Sequence, residues 1–164
     1  MLVRHAKAEE SAPTDVERPL AGRGRADARA AGGWLASQGP VPTHAVVSAA
    51  QRALETWAGL AGGAGWSTEP EVSQLLYAAE PETVLDLLRE SPADAECVVV
   101  VGHNPTMAYV AQMLDDGTGD EAAGTALATG GFPTCSLAVF EYDGDWADLD
   151  VTVARLLAFH VARG

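Results

Sequence analysis

A chain of 164 residues is long enough to bury a substantial core within one domain, expected to span residues 1–164. Its composition, 48% hydrophobic and 20% charged, is that of a globular protein. The 23 Asp and Glu against 10 Lys and Arg give a formal net charge of −13, which repels nucleic acid and anionic lipid and argues against both as partners.

Met1 to Val3 is apolar and runs into Arg4, so a short first strand is expected to end near His5; its brevity leaves open whether the native chain extends upstream of Met1. The stretch "SAPTDVERP" is polar and Pro-bearing and reads as a loop. From Leu20 to about Ser37 the Ala- and Arg-rich pattern predicts a helix, closed by "QGP". "THAVVS" is a short buried strand, and "AAQRALETWAGLAGGAG" reads as a helix broken by its glycines. In "EPETVLDLLRE" Pro81 suits a first helical position, Glu82 a first turn, and Val84, Leu85, Leu87 and Leu88 an apolar face. "CVVVV" has the continuous β-branched character of a strand buried on both faces. It stops at "GHNP", and "TMAYVAQML" follows as a helix. "DDGTGDEAAGTALATGG" is expected to be a loop, and "TCSLAVFEY" and "VTVARLLAF" two strands joined through "DGDWAD".

Strands alternating with helices predict an α/β fold: three αβα layers, with a mainly parallel sheet flanked by helices. Cys97 and Cys135 both sit in apolar runs and read as buried small hydrophobes of a reducing compartment, too far apart in sequence for a zinc motif. No basic segment leads into an apolar one at the N-terminus, and no run reaches the roughly 18 apolar residues of a membrane span. A cytoplasmic location is therefore expected. Trp34, Trp57, Trp66 and Tyr109 read as packing residues, and His44 and His160 as structural or exposed.

Ligands of an open α/β sheet bind at the carboxyl ends of its strands. The first strand ends at Arg4 and His5, "AVVS" ends just before Arg52, and "CVVVVG" ends at His103. Two arginines and two histidines are thus delivered to one edge. Each alone is commonly a structural or surface residue; together they suit a phosphoryl group. Arginine forks bind its oxygens and keep their charge. A neutral imidazole can attack phosphorus, and a second can donate to the oxygens as charge spreads. Such a site needs neither metal nor cofactor.

"LVRHAKAE", "ERPLAGRGRADA", "VVSAAQRALET" and "VVVVGHNP" resemble, in order, the blocks of the histidine phosphatase (phosphoglycerate mutase-like) superfamily, and most of all its short SixA-type phosphohistidine phosphatases. The resemblance implies a phosphoglycerate mutase-like fold and a metal-independent phosphohydrolase working through a covalent phosphohistidine. It makes His5 the nucleophile and places Arg4, Arg52 and His103 around the phosphate. It also turns Arg18 of "ERPL" toward the phosphate, against a plain reading as a surface charge at a helix entry. Two departures stand out. Ala6 replaces the usual Gly after the Arg-His pair, which requires a negative φ there. The segment "QLLYAAEPE" is short where many members carry a long insertion with a catalytic acid. Glu80 is the candidate general acid, with a cap on the helix starting at Pro81 as the preferred alternative. Asn104 either orients His103 or touches substrate, or simply starts a turn. The substrate implied is a histidine-phosphorylated protein domain; the alternatives are a small phosphomonoester or a catalytically inactive phosphoprotein-binding module.

Overall fold

The computed structural model describes residues 1–39 and 41–164. Its frame is a six-stranded sheet in the order β3-β2-β4-β1-β5-β6, where β1 is Leu2–Arg4, β2 His44–Ser48, β3 Glu71–Ser73, β4 Val98–Gly102, β5 Ser136–Glu141 and β6 Arg155–Val161. Strands β1 to β4 pair in parallel, and β5 and β6 add an antiparallel edge. The four valines of β4 explain its central place. Val98 and Val100 enter one core cluster and Val99 and Val101 the other, so both faces of the strand are dry.

Helices cover both faces. Against one lie α1 (Gly22–Leu35) and α2 (Gln51–Ala64), through Ala28, Ala31, Leu35, Trp57 and Leu60. Against the other lie α3 (Pro81–Arg89), α4 (Thr106–Leu114) and α5 (Glu121–Gly130), through Leu85, Leu88, Val110 and Leu127. The three-layer αβα architecture expected from the sequence is present. No helix among the described residues is long and apolar enough to cross a membrane. Both cysteines are free and buried.

Several local expectations change. Helix α2 is unbroken: it runs through Gly59, Gly62 and Gly63 and stops only at Gly65, whose φ of 74° is left-handed. Its glycines are there for contact. A Cβ on Gly59 would lie 2.7 Å from the Ala28 Cβ, and one on Gly63 would collide with the Arg29 carbonyl, so α1 and α2 pack almost backbone to backbone. The expected loop at 115–131 contains α5, because the Asp120 carboxylate caps it at the Ala123 N–H, 2.7 Å away, and Ala123 and Leu127 bury against the core. Helix α1 starts at Gly22 and not at Leu20, since Leu20 is held in a bridge with Ala8. Pro40, part of the expected stop after α1, lies outside the described residues. Strand β6 begins at Arg155 and not at Val151, where Thr152 with φ of 56° interrupts extended backbone. Strand β3 and the helical turn Leu75–Ala78 were not anticipated.

The packing of α1 on α2 predicts opposite effects at adjacent residues. A Cβ at Gly62 meets nothing within 4 Å. Gly62→Ala should therefore stabilise by about 0.5–1 kcal/mol through helix propensity, whereas Gly63→Ala should cost about 1–3 kcal/mol by overpacking. Denaturant unfolding of the two variants checks this; equal midpoints would refute the close approach.

Candidate active site

The site follows from strand register. Arg4 pairs with Gly102, and Val101 pairs with Val3 on one side and Val47 on the other. Strands β1, β4 and β2 therefore end at one level, and the next side chains are those of His5 and His103 beside Ser48. The two imidazole rings lie 5.1 Å apart, tilted by 55°. Arg52 enters from the first turn of α2 and is only 6% exposed. The four residues expected at this edge are together.

Each ring has one nitrogen committed. His5 Nδ1 lies 2.7 Å from the Ala6 carbonyl oxygen, so Nδ1 donates and Nε2 keeps its lone pair. Ala6 is buried, donates its N–H to the Thr56 hydroxyl oxygen at 3.0 Å, and has the negative φ that alanine requires. His103 Nε2 lies 2.7 Å from Ser48 Oγ, and its Nδ1 is buried and bonded to nothing among the described residues. Burial pushes His5 down to about 4, helped by the charges of Arg52, Arg4 and Arg18. Burial pushes His103 down to about 3, helped by His5 and Arg52. Both rings are neutral at pH 7.

The arginines are anchored at one edge and open at another. Arg4 Nη1 donates to the Phe132 carbonyl at 2.8 Å, and its Nε is buried without a bond. Arg52 donates from Nη1 to the Asp15 carbonyl at 2.7 Å and from Nη2 to Asp15 Oδ2 at 3.0 Å, again leaving Nε buried and unbonded. Buried donors without partners are rare in folded chains. Here two guanidinium N–H groups and a ring nitrogen share that state at one sheet edge, which suits a polyvalent oxyanion.

Arg18 reaches the site through Asp15. Its Nε donates to Asp15 Oδ1 at 2.8 Å, and its Nη1 donates to the Glu9 carbonyl at 3.1 Å. It is an exposed ion pair and also one of the charges felt by His5. Asn104 is tied back, its Nδ2 donating to the Phe132 carbonyl at 2.7 Å. Glu80 occupies the cap position of α3 but makes no side-chain cap bond, so the preferred cap reading fails. It instead lines a cleft of about 240 Å³ with Tyr77, His103, Asn104 and Tyr109. Tyr109, expected to pack inside, is 54% exposed there. An apolar cavity of about 260 Å³ lies elsewhere, among Met1, Cys97 and Trp146, away from this chemistry.

Sequence reasoning missed three residues. Asp15 joins Arg18 and Arg52, and the Tyr77 hydroxyl donates to its Oδ2 at 2.7 Å. That hydroxyl, with the two arginines, holds the Asp15 carboxyl down to about 2. The Tyr77 ring also meets the His103 ring edge-on, with centroids 5.9 Å apart. Asp15 lies in a loop with no pattern of its own, and Tyr77 in a segment too short to show periodicity. The third is Ser48, whose only signal was its place at the end of a buried strand. No group of three or more His, Cys, Asp or Glu among the described residues is placed to hold a metal ion.

The profile of the histidine phosphatase superfamily (branch 1) matches residues 1–77. A solved candidate phosphohistidine phosphatase SixA from Nakamurella multipartitia shares 33% identity, with a TM-score of 0.85 over 98% of this chain and 95% of its own. The chain belongs to the histidine phosphatase superfamily. A second candidate phosphohistidine phosphatase SixA, from Agrobacterium tumefaciens, matches with 29% identity and a TM-score of 0.77 over 97% of this chain and 94% of its own. The uncharacterized protein Rv1276c of Mycobacterium tuberculosis is 36% identical over 162 residues, 98% of this chain and all of its own. The phosphoglycerate mutase-like expectation for the fold holds, and the chain is a phosphatase of the hydrolase class with a phosphorylated substrate.

The neutral imidazoles give this phosphatase a pH signature. Their folded values of about 4 and about 3 lie below the ordinary 6.5, so between these limits the unfolded chain takes up protons that the folded chain refuses. Stability should be full above about pH 6.5 and fall by on the order of 2–4 kcal/mol by pH 5. Urea unfolding at pH 7.5 and 5 measures the loss, which should shrink in a His5→Gln, His103→Gln double variant. An undiminished loss in that variant would show that the two rings are not its source.

Proposed function

We propose that this phosphatase dephosphorylates phosphohistidine on a protein, by way of a phosphate held transiently on His5, and that residues 1–164 act as one catalytic domain. The observation that carries the reading is the state of His5. Its Nδ1–H is fixed on the Ala6 carbonyl and the ring is neutral, so Nε2 presents a lone pair beside Arg4, Arg52 and His103.

The Nε2 lone pair forms the new P–N bond while the bond from phosphorus to the leaving nitrogen breaks. A phosphohistidine protonated on its other ring nitrogen departs as neutral imidazole and needs no proton from the enzyme. Water then attacks phosphorus, and the electron pair of the P–N bond returns to His5. Arg4 and Arg52 supply guanidinium charge to the phosphoryl oxygens, His103 supplies a ring nitrogen, and Arg18 and Asn104 line the approach. Asp15 cannot serve as an acid, since its carboxyl is held down to about 2. The likeness to candidate phosphohistidine phosphatases supports this substrate. So does the short connection from β3 to α3, only residues 74–80, which leaves the sheet edge open to a side chain on a protein surface.

A second reading rests on Glu80. With no cap bond and a place in the cleft beside His103, its carboxyl could protonate an alkoxide leaving group, which suits a small phosphomonoester.

Turnover of a histidine-phosphorylated HPt-type domain and of p-nitrophenyl phosphate separates the two. The phosphoprotein should give the higher kcat/KM, unchanged in excess EDTA. His5→Ala, still folded, should lose on the order of 10³-fold or more on both substrates. Turnover of the ester alone would favour the second reading, and a folded His5→Ala that keeps about a tenth of the activity would remove His5 as nucleophile.

A further inference from the structure

Among the described residues, the hydroxyl of Ser48 has a single acceptor within reach. Ser48 is the last residue of β2 and is completely buried. Two groups touch its Oγ: the Ala50 N–H at 3.3 Å and His103 Nε2 at 2.7 Å. An amide N–H only donates, so the hydroxyl hydrogen can go only to the Nε2 lone pair. The reverse assignment puts the proton on Nε2. It leaves the Ser48 hydroxyl donating to nothing in a dry strand end, while Nδ1, unpartnered in either assignment, becomes a bare lone pair. It would also present that lone pair, and not an N–H, to a phosphoryl dianion.

We propose that Ser48 is a positioning residue that fixes His103 as the neutral Nδ1–H tautomer, so that His103 gives the phosphoryl group a hydrogen bond and is not a source of protons. Tyr77 supports the same pose by meeting the ring edge-on, with centroids 5.9 Å apart. With Nε2 committed to Ser48, Nδ1 is the only ring nitrogen left for substrate. The two histidines of the site then hold matching tautomers for opposite tasks. His5 carries its proton on Nδ1 to free a lone pair on Nε2, and His103 carries its proton on Nδ1 to present that proton. The consequence for turnover rests on the phosphoryl-transfer reading above; the tautomer itself does not.

The test reads the two parts separately. In ligand-free protein at pH 7, the side-chain 15N signals of His103, assigned by comparison with His103→Gln, should show Nδ1 as the protonated nitrogen and Nε2 as the bare one. Ser48→Ala should shift the ring toward the Nε2–H form and lower kcat at least about tenfold, below the roughly 10²–10³ that loss of a donor outright costs. KM should change less than kcat. Ser48→Cys keeps the volume with a weaker donor and should fall between wild type and alanine in both tautomer and kcat. The proposal fails if wild-type His103 carries its proton on Nε2, or if Ser48→Ala leaves the tautomer unchanged. It also fails if the tautomer shifts while kcat stays within about twofold. Should Ser48→Ala not fold, the wild-type tautomer and Ser48→Cys decide alone. An inactive wild type with the Nδ1–H signature would count against the phosphatase substrate and not against Ser48.

Discussion

The parallel register of β1, β4 and β2 is the constraint on which the site depends. Val3, Val101 and Val47 lie at one level across three strands, and each strand ends one residue later. A slip of one residue in β1 would turn Val3 out of its core and send Arg4 and His5 to the opposite faces. Leu2 and Val3 resist it, because each is buried in a different core cluster, one on either face of the sheet. Core packing and the placing of the two imidazoles are therefore one requirement.

A second requirement follows from gathering cations in a dry place. Arg4, Arg52 and the two imidazoles share a site where a protonated ring would face guanidinium charge without water to screen it. The rings stay neutral, which is what a nitrogen nucleophile and a neutral hydrogen-bond donor both need. The guanidinium groups cannot give up their charge, so they are fixed by anchors: the Phe132 carbonyl for Arg4, and Asp15 for Arg52 and Arg18. Phe132 also holds Asn104, and Asp15 also receives the Tyr77 hydroxyl. Two acceptors from loops thus hold five side chains of the site.

What the sequence revealed follows the same division. Arg4, His5, Arg52 and His103 were legible because each ends or closely follows an apolar run that reads as a strand, even the short one at the N-terminus. The αβα layering was legible from the alternation of those strands with helices. Helix α5 was not, because Gly124, Gly130 and the loop-like residues ahead of it outweigh an Ala-rich pattern that packs only through Ala123 and Leu127 behind the Asp120 cap. The glycines of α2 misled in the opposite way: they look like breaks but let α1 approach. Asp15, Tyr77 and Ser48 escaped because their partners lie 37, 62 and 55 residues away in the chain, a distance that no local pattern encodes. Glu80 was assigned a cap from its position alone, and the side chain does not make that bond.

Trapping of the phosphoenzyme tests the central claim most directly. The phosphatase would be mixed with a histidine-phosphorylated HPt-type domain, quenched in base within the first turnover, and mapped by mass spectrometry. A phosphoryl group on His5, stable in base, labile in acid and absent from His5→Ala, is the result predicted. Phosphate released in a burst with no label on His5, or a label on His103 in its place, would contradict the account.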